Sequence, residues 1–294
     1  MSYTESFFTR SNGRIGRITA AEPGVEPYQA YTQHIRQGPG GEETAAFFDL
    51  DGTIIATHSV KDVFSERLFS GQVGLAEAVD LVNMAGRYAL KMGNFEDAMA
   101  SSLMNMKGLK VSEFRSLCDK VFRERLAPVV FPEMRAIIRA HQAQGHTLAI
   151  ITSATRFQAE PLARSLGIDH VLCTELGESK GQFTGSIDGE ACYGPGKIRA
   201  ADRFSESHGL DLAGSFFYSN GIEDLPLLES VSHPVAINPD KKLLAEAKWN
   251  DWPVHQLDSR GSTGLWDVAR TLATFASVLP AIAIGLPFRW FGDA

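Results

Sequence analysis

Five short apolar runs rich in β-branched and aromatic residues punctuate the chain, at residues 45–49, 147–152, 170–174, 215–219 and 234–237. Between most of them the apolar positions recur at helical spacing instead. Strands alternating with helices pack as a parallel sheet covered on both faces. The pattern therefore predicts an α/β fold, a Rossmann-like parallel sheet. The first and second runs are separated by about ninety residues with no convincing strand, within which 58–70, 74–91, 95–106 and 111–125 carry helical periodicity. That stretch reads as a helical cap over 57–127, inserted into a core made of 45–56 and 128–260.

The remaining segments are less regular. Residues 1–44 mix Gly, Ser, Thr, Pro and charges, and read as a flexible or loosely docked arm. Arg10, Arg14 and Arg17 make part of it basic, which suits a solvated tail better than a phosphate-binding arm. Residues 181–189, GQFTGSIDG, alternate between glycine brackets and predict a small hairpin, with Asp188 as a turn residue. The extension 261–294 contains the apolar run 275–288, interrupted by Pro280 and Pro287 and followed by Arg289, Trp290 and Phe291. A spanning helix needs about twenty apolar residues, so no transmembrane segment is expected. Docking onto the chain itself or onto a homodimer partner is the favoured reading, with weak membrane-surface contact as the alternative.

Composition narrows the class. The chain has 294 residues, 44% of them hydrophobic, enough for a sizeable core, and a formal charge of −7. Nucleic acid calls for a basic surface, so no such partner is expected. The three cysteines, Cys118, Cys173 and Cys192, form no close pair, and a reducing cytoplasm is the simplest compartment. Met84, Met92, Met99, Met104 and Met106 read as packing residues of the cap.

The chemistry concentrates in FFDLDGT, residues 47–53. A strand that ends at Asp49 presents one carboxylate to a ligand, and the turn after it brings Asp51 back over the same point. Asp49 can attack phosphorus as a nucleophile. Asp51 can protonate the leaving oxygen and later take a proton from water. Gly52 permits a tight turn beside the ligand. The plain alternative is a strand-end turn, since Asp and Gly are ordinary turn residues. The ends of the first, second and fourth runs carry Asp49, Ser153 and Asn220, and ligands of open α/β sheets bind at such ends.

Four segments, FFDLDGT, AIITSAT, GPGK and FYSNGIEDLPLLE, stand in the order of the motifs of the haloacid dehalogenase superfamily and resemble its phosphoserine phosphatase branch over residues 45–256. The resemblance implies a Mg²⁺-dependent phosphatase with a cap over its site. Asp49, Asp51, Ser153 and Lys197 would be catalytic. Gly52, Thr53, His58, Ser102 and Ala154 would contact a small phosphomonoester substrate, and Asp49, Asp51, Asn220 and Asp224 would hold the metal. Each later motif also has a plain reading when taken alone: Ser153 as a helix N-cap, Lys197 as a surface lysine, and FYSN with DLPLLE as a strand, turn and helix.

The sequence departs from the family at informative places. Asn220 stands where the pattern has a metal-binding aspartate, which removes a negative charge while keeping an oxygen donor. Gly221 and Glu223 replace the commoner Ser and Asn. In phosphoserine phosphatases an acid nine residues after the nucleophile and an arginine in the cap hold the amino acid; here the positions are His58 and Ser102. The expectation is a phosphatase that is not specific for phosphoserine. A catalytically weak phosphate-ligand binding or regulatory protein and a phosphotransferase stand as alternatives.

Overall fold

The computed structural model describes residues 27–38, 40–71, 99 and 102–257. Its centre is a six-stranded, all-parallel sheet of β1 (Ala45–Phe48), β2 (Thr147–Thr155), β3 (His170–Thr174), β6 (Phe216–Ser219), β7 (His233–Ile237) and β8 (Val254–His255), in the order β3-β2-β1-β6-β7-β8. The α/β expectation holds. β1 is central, flanked by β2 and β6, so a residue leaving its carboxyl end emerges mid-sheet.

Both faces of the sheet are buried, which explains why its strands read as continuous apolar runs. Successive side chains point to opposite faces. Phe47, Ala149, Ile151, Phe217 and Ala236 belong to one hydrophobic cluster, with residues of α6 (Pro195–His208), α7 (Leu225–Ser230) and α8 (Lys241–Trp249). Phe48, Leu148, Ile150, Tyr218 and Val235 belong to the other, with residues of α1 (Pro27–Gln37), α4 (Pro132–Ala143) and α5 (Arg156–Leu166).

α1 differs from the arm expected over 1–44. Tyr31 and Ile35, one turn apart, are both fully buried, and the helix packs along α4. The Tyr31 hydroxyl meets that of Tyr218 at 3.0 Å, Tyr218 meets His141 Nε2 at 2.6 Å, and His141 Nδ1 meets His146 Nδ1 at 2.8 Å. The surrounding polar composition masked this two-residue anchor. Residues 1–26, and the extension from 258 onward, lie outside the described residues.

The insertion leaves the core after β1 and returns before α4 by paired segments. Ala56 N–H donates to Val129 O, and Phe131 N–H donates to Ile54 O. Its described helices are α2 (Ser59–Phe69) and α3 (Val111–Val121), the latter continuing as a π turn over Phe122–Leu126. Of the helices expected at 74–91 and 95–106, only residue 99 and residues 102–106 are described; 99 and 102–104 are helical, and 105–106 form a turn. Met84 and Met92 fall outside the described residues.

The hairpin sits earlier than 181–189. Its strands are β4 (Leu176–Ser179) and β5 (Gln182–Ile187), joined through Lys180 and Gly181, both at positive φ. The run that looked like a whole hairpin is mostly its second strand, because the lysine in the turn gave no turn signal. The hairpin joins the helical insertion: Val111 N–H donates to Gly181 O, Gly108 N–H to Phe183 O and Phe183 N–H to Leu109 O. Phe183 completes an aromatic triad with Phe114 and Phe157.

Candidate active site

Asp49 follows β1 directly, and its N–H donates to Tyr218 O of β6, which holds the backbone in sheet register to the last residue. Its side chain is nearly buried, as is that of Lys197 in the first turn of α6. Lys197 Nζ donates to Asp49 Oδ1 at 2.8 Å and to Asp224 Oδ2 at 2.7 Å. Three of the four motifs therefore meet at one ammonium group. Burial acts to lower the Lys197 pKa, but Asp224 and Asp49 more than offset it and hold it above its ordinary value. Lys197 is not a surface lysine.

The turn after Asp49 is wound tightly, with the N–H groups of Ile54 and Ile55 donating to Leu50 O and that of Gly52 to Ile55 O. Gly52 has φ +80°, and a Cβ there would lie 2.2 Å from Asn220 Nδ2. Glycine is required both for the conformation and for the approach of Asn220. Thr53, fully buried, donates to Asp49 Oδ2 at 3.2 Å and to Asn220 Oδ1 at 3.4 Å. In this geometry Thr53 orients the carboxylate and the amide.

Asp51 is set by residues outside the motifs. Ser59 donates to it twice, N–H to Oδ1 at 2.8 Å and Oγ to Oδ2 at 3.0 Å, and Gln158 Nε2 donates to Ser59 Oγ at 3.2 Å. Gln158 belongs to the capping box that starts α5, with Thr155 as N-cap. Desolvation pushes the Asp51 pKa up to about 7, the Ser59 bonds work against it, and the charge of Asp49 adds to the rise. A carboxyl poised there can both give and take a proton near neutrality.

The second motif departs from the expected boundary. β2 runs past Ser153 to Thr155, with a register shift against β3 between Ile151 and Thr155, so the helix cap is Thr155 and not Ser153. Ser153 is half-buried and its hydroxyl makes no hydrogen bond among the described residues, which leaves it open to a ligand. Ala154 N–H is taken by Thr152 Oγ1 at 3.1 Å. His58 is exposed at the N-cap of α2, its side chain capping nothing, while Asp51 receives the Ser59 N–H beside it. Ser102 is half-buried in the helical stretch 102–104 of the insertion.

Asp224 closes the site from the fourth motif. Ser219 Oγ donates to its Oδ2 at 2.6 Å and also accepts Gly221 N–H, so one serine fixes both the carboxylate and the loop. Burial acts to raise the Asp224 pKa, and the Lys197 ammonium pulls against that rise. Its Oδ1 is buried with no hydrogen-bond partner. Mg²⁺ takes oxygen ligands, often one or two carboxylates with retained waters. The free Asp224 oxygen, the Asp49 carboxylate and the Asn220 carbonyl are such donors, and they fit a Mg²⁺ ion with one carboxylate fewer than the motif resemblance implies. Among the described residues no three His, Cys, Asp or Glu side chains converge as a closed metal cage.

The sequence reading missed Ser59 and Gln158. Ser59 carried no signal beyond its place at a helix start. Gln158 did: Thr155 with Gln158 three residues later is a capping-box pattern.

Comparison with known proteins identifies the family of the chain. The haloacid dehalogenase-like hydrolase family matches residues 46–229. A probable phosphatase of Mycobacterium tuberculosis is 34% identical over 78% of this chain and 82% of its own length. A histidinol-phosphatase of Neisseria meningitidis is 30% identical over 71% of this chain and 96% of its own. Among solved structures, a Bordetella pertussis protein of unknown function superposes with a TM-score of 0.66 at 28% identity, over 74% of this chain and 99% of that one. With its motifs gathered at one end of the sheet, the chain belongs to the haloacid dehalogenase-like hydrolases, in the phosphatase branch of that family.

Proposed function

We propose that the chain hydrolyses a small phosphomonoester through a phosphorylated Asp49, with Mg²⁺ as cofactor. The observation that carries this reading is the Lys197 ammonium held between Asp49 and Asp224, with Asp51 beside them poised near neutrality. An Asp49 oxygen attacks phosphorus; the bond from phosphorus to the ester oxygen breaks, and Asp51 gives its proton to the departing alkoxide. Water then attacks the aspartyl-phosphate while Asp51 takes its proton. The bond between phosphorus and Asp49 breaks, and inorganic phosphate leaves. Lys197 and the Ser153 hydroxyl meet the charge on the phosphoryl oxygens, the main task in such transfers. Asp49, the Asp51 carbonyl, Asn220 and Asp224 would hold Mg²⁺, which supplies charge neutralisation at the phosphoryl group when bound.

Residue 58 bears on the substrate class. His58 stands where phosphoserine recognition uses an acid, so a phosphorylated amino acid has no carboxylate there to hold its ammonium group. A phosphomonoester other than phosphoserine is the better substrate. The cytoplasm suits the three unpaired thiols, whose pKa values burial raises, making them poor nucleophiles. Among the described residues no helix is long and apolar enough to cross a membrane.

Asn220 gives a second reading its basis, a weakly catalytic protein that binds a phosphorylated ligand. Phosphate release from a panel of phosphometabolites, with and without Mg²⁺, separates the two. Turnover that Asp49→Asn abolishes supports the enzyme. Binding without turnover supports the regulator, and full activity of Asp49→Asn refutes the nucleophile. A phosphorylated acceptor in place of free phosphate would mark a phosphotransferase.

A further inference from the structure

We propose that Gln158 is a positioning residue for proton transfer, its side-chain amide oriented so that the Ser59 hydroxyl is held as a donor to Asp51. The inference rests on the reading of Asp51 as general acid and base. Each hydrogen along the path has a fixed direction. The Thr155 N–H, which can only donate, lies 3.0 Å from Gln158 Oε1, so the amide oxygen faces Thr155 and the NH₂ group faces Ser59. The Thr155 hydroxyl accepts the Gln158 backbone N–H in the capping box, and its own hydrogen goes to the same Oε1 at 2.8 Å. Nε2 then donates to Ser59 Oγ at 3.2 Å, and the Ser59 hydrogen goes to Asp51 Oδ2 at 3.0 Å.

This direction bears on the acid. Ser59 and Gln158 are both buried, and among the described residues the Ser59 hydroxyl bonds to Asp51 and Gln158 alone. A proton on Asp51 that pointed at Ser59 would push the serine hydrogen off Oδ2, while the Gln158 NH₂ group offers it no acceptor. A buried donor left unpaired is costly, so Asp51 carries its proton on the lone pairs that Ser59 does not occupy. Burial, the charge of Asp49 in the same turn and the charge of Asp62 in α2 all favour the neutral acid, and the two Ser59 bonds oppose them. Gln158 keeps the hydroxyl part of that opposition in place. A glutamate at 158 would keep the acceptor for Thr155 but reverse the rest: three donors would hold it ionised, Ser59 would turn its hydrogen to it, and Ser59 Oγ would accept the Asp51 proton.

Carbon-13 NMR titration of the Asp51 carboxyl in the substrate-free full chain, assigned by its loss in Asp51→Asn, tests this without turnover. Gln158→Glu should move the Asp51 midpoint to higher pH by at least about one unit, and Gln158→Met, which deletes the donor and adds no charge, by about half a unit. A residue that merely caps α5 would move neither. In a Ser59→Ala background Gln158→Met should move the midpoint no further, and the Gln158→Glu shift should shrink, because the effect passes through the hydroxyl. Unmoved midpoints in the Gln158 variants, or shifts undiminished in Ser59→Ala, overturn the role of Gln158 and leave the acid reading standing. Full phosphate release from alkyl phosphomonoesters by Asp51→Asn overturns both.

Discussion

Replacing Lys197 by methionine isolates the electrostatics of the site, because methionine retains most of the apolar stem and deletes only the ammonium. In the wild-type protein the side chains involved are 4% (Lys197), 10% (Asp49) and 2% (Asp224) exposed, so water screens little of the pairing. Removing one partner of a buried ion pair costs about 3 to 5 kcal/mol, since the remaining charge is left without compensation. Here two carboxylates are stranded together, which places the loss at the upper end, a large part of the roughly 5 to 15 kcal/mol that stabilises a typical domain. The loss depends on pH in a defined sense. Burial already pushes Asp224 toward its neutral form, and without the lysine only the Ser219 hydrogen bond opposes that rise, so the stranded pair shares a proton more readily as pH falls. Urea unfolding should show the full penalty at pH 8 and a smaller one at pH 5.5, and Asp224→Asn in the Lys197→Met background should recover part of it at pH 8. A Lys197→Met protein within about 1 kcal/mol of wild type at pH 8 would refute the argument, because that is what an exposed lysine gives.

Three further outcomes follow from other parts of the structure. Gly52→Ala should lose activity and about 1 to 3 kcal/mol of stability from its positive φ alone; Asn220→Gly in that background should relieve the 2.2 Å clash, giving a measurable coupling in a double-mutant cycle. Ser59→Ala removes a bond that lowers the Asp51 pKa, so the alkaline limb of kcat/KM should move to higher pH; an unmoved limb would show that Asp51 is not the titrating acid. His141 and His255 are buried with pKa values lowered by desolvation, that of His255 to about 4. Below their ordinary value of 6.5 the unfolded chain binds protons that the folded chain refuses, so stability is full above pH 6.5 and falls by roughly 2 to 3 kcal/mol per pH unit on the way to pH 4. His141→Gln with His255→Gln should flatten the histidine part of that slope in urea titrations.

The sheet was legible because β1, β2, β6 and β7 are buried on both faces and leave runs of apolar residues, and the half-buried edge strand β3 keeps the same apolar character. β8 escaped because two residues paired at the edge beyond β7 leave no periodicity at all. α1 escaped for a different reason. Its binding to the core depends on Tyr31 and Ile35 meeting α4 and Tyr218, a long-range match that the local composition of residues 27–37 does not reveal. The hairpin was displaced because Lys180, a residue with no turn preference of note, takes positive φ next to Gly181.

The site divides along the same physical line. Asp49 and Asp51 could be put forward from their place at a strand end, whereas Lys197 and Asp224 were put forward because their segments resemble the family's motifs in order; taken alone, Lys197 read as a surface lysine. The groups that hold those charges in place are neutral and short, and they announce nothing by type. Thr53, Ser59, Gln158 and Ser219 are common residues, made significant only by which carboxylate oxygen each one meets. Through them the acid of the first motif is tied to the helix that follows the second, across 99 positions between Ser59 and Gln158. A shift of α5 would therefore act on Asp51 through Ser59. Asp51 is in this way held from the helical insertion and α5, whereas Asp49 is held from the core, by Tyr218 O on its N–H and by Lys197 and Thr53 on its carboxylate.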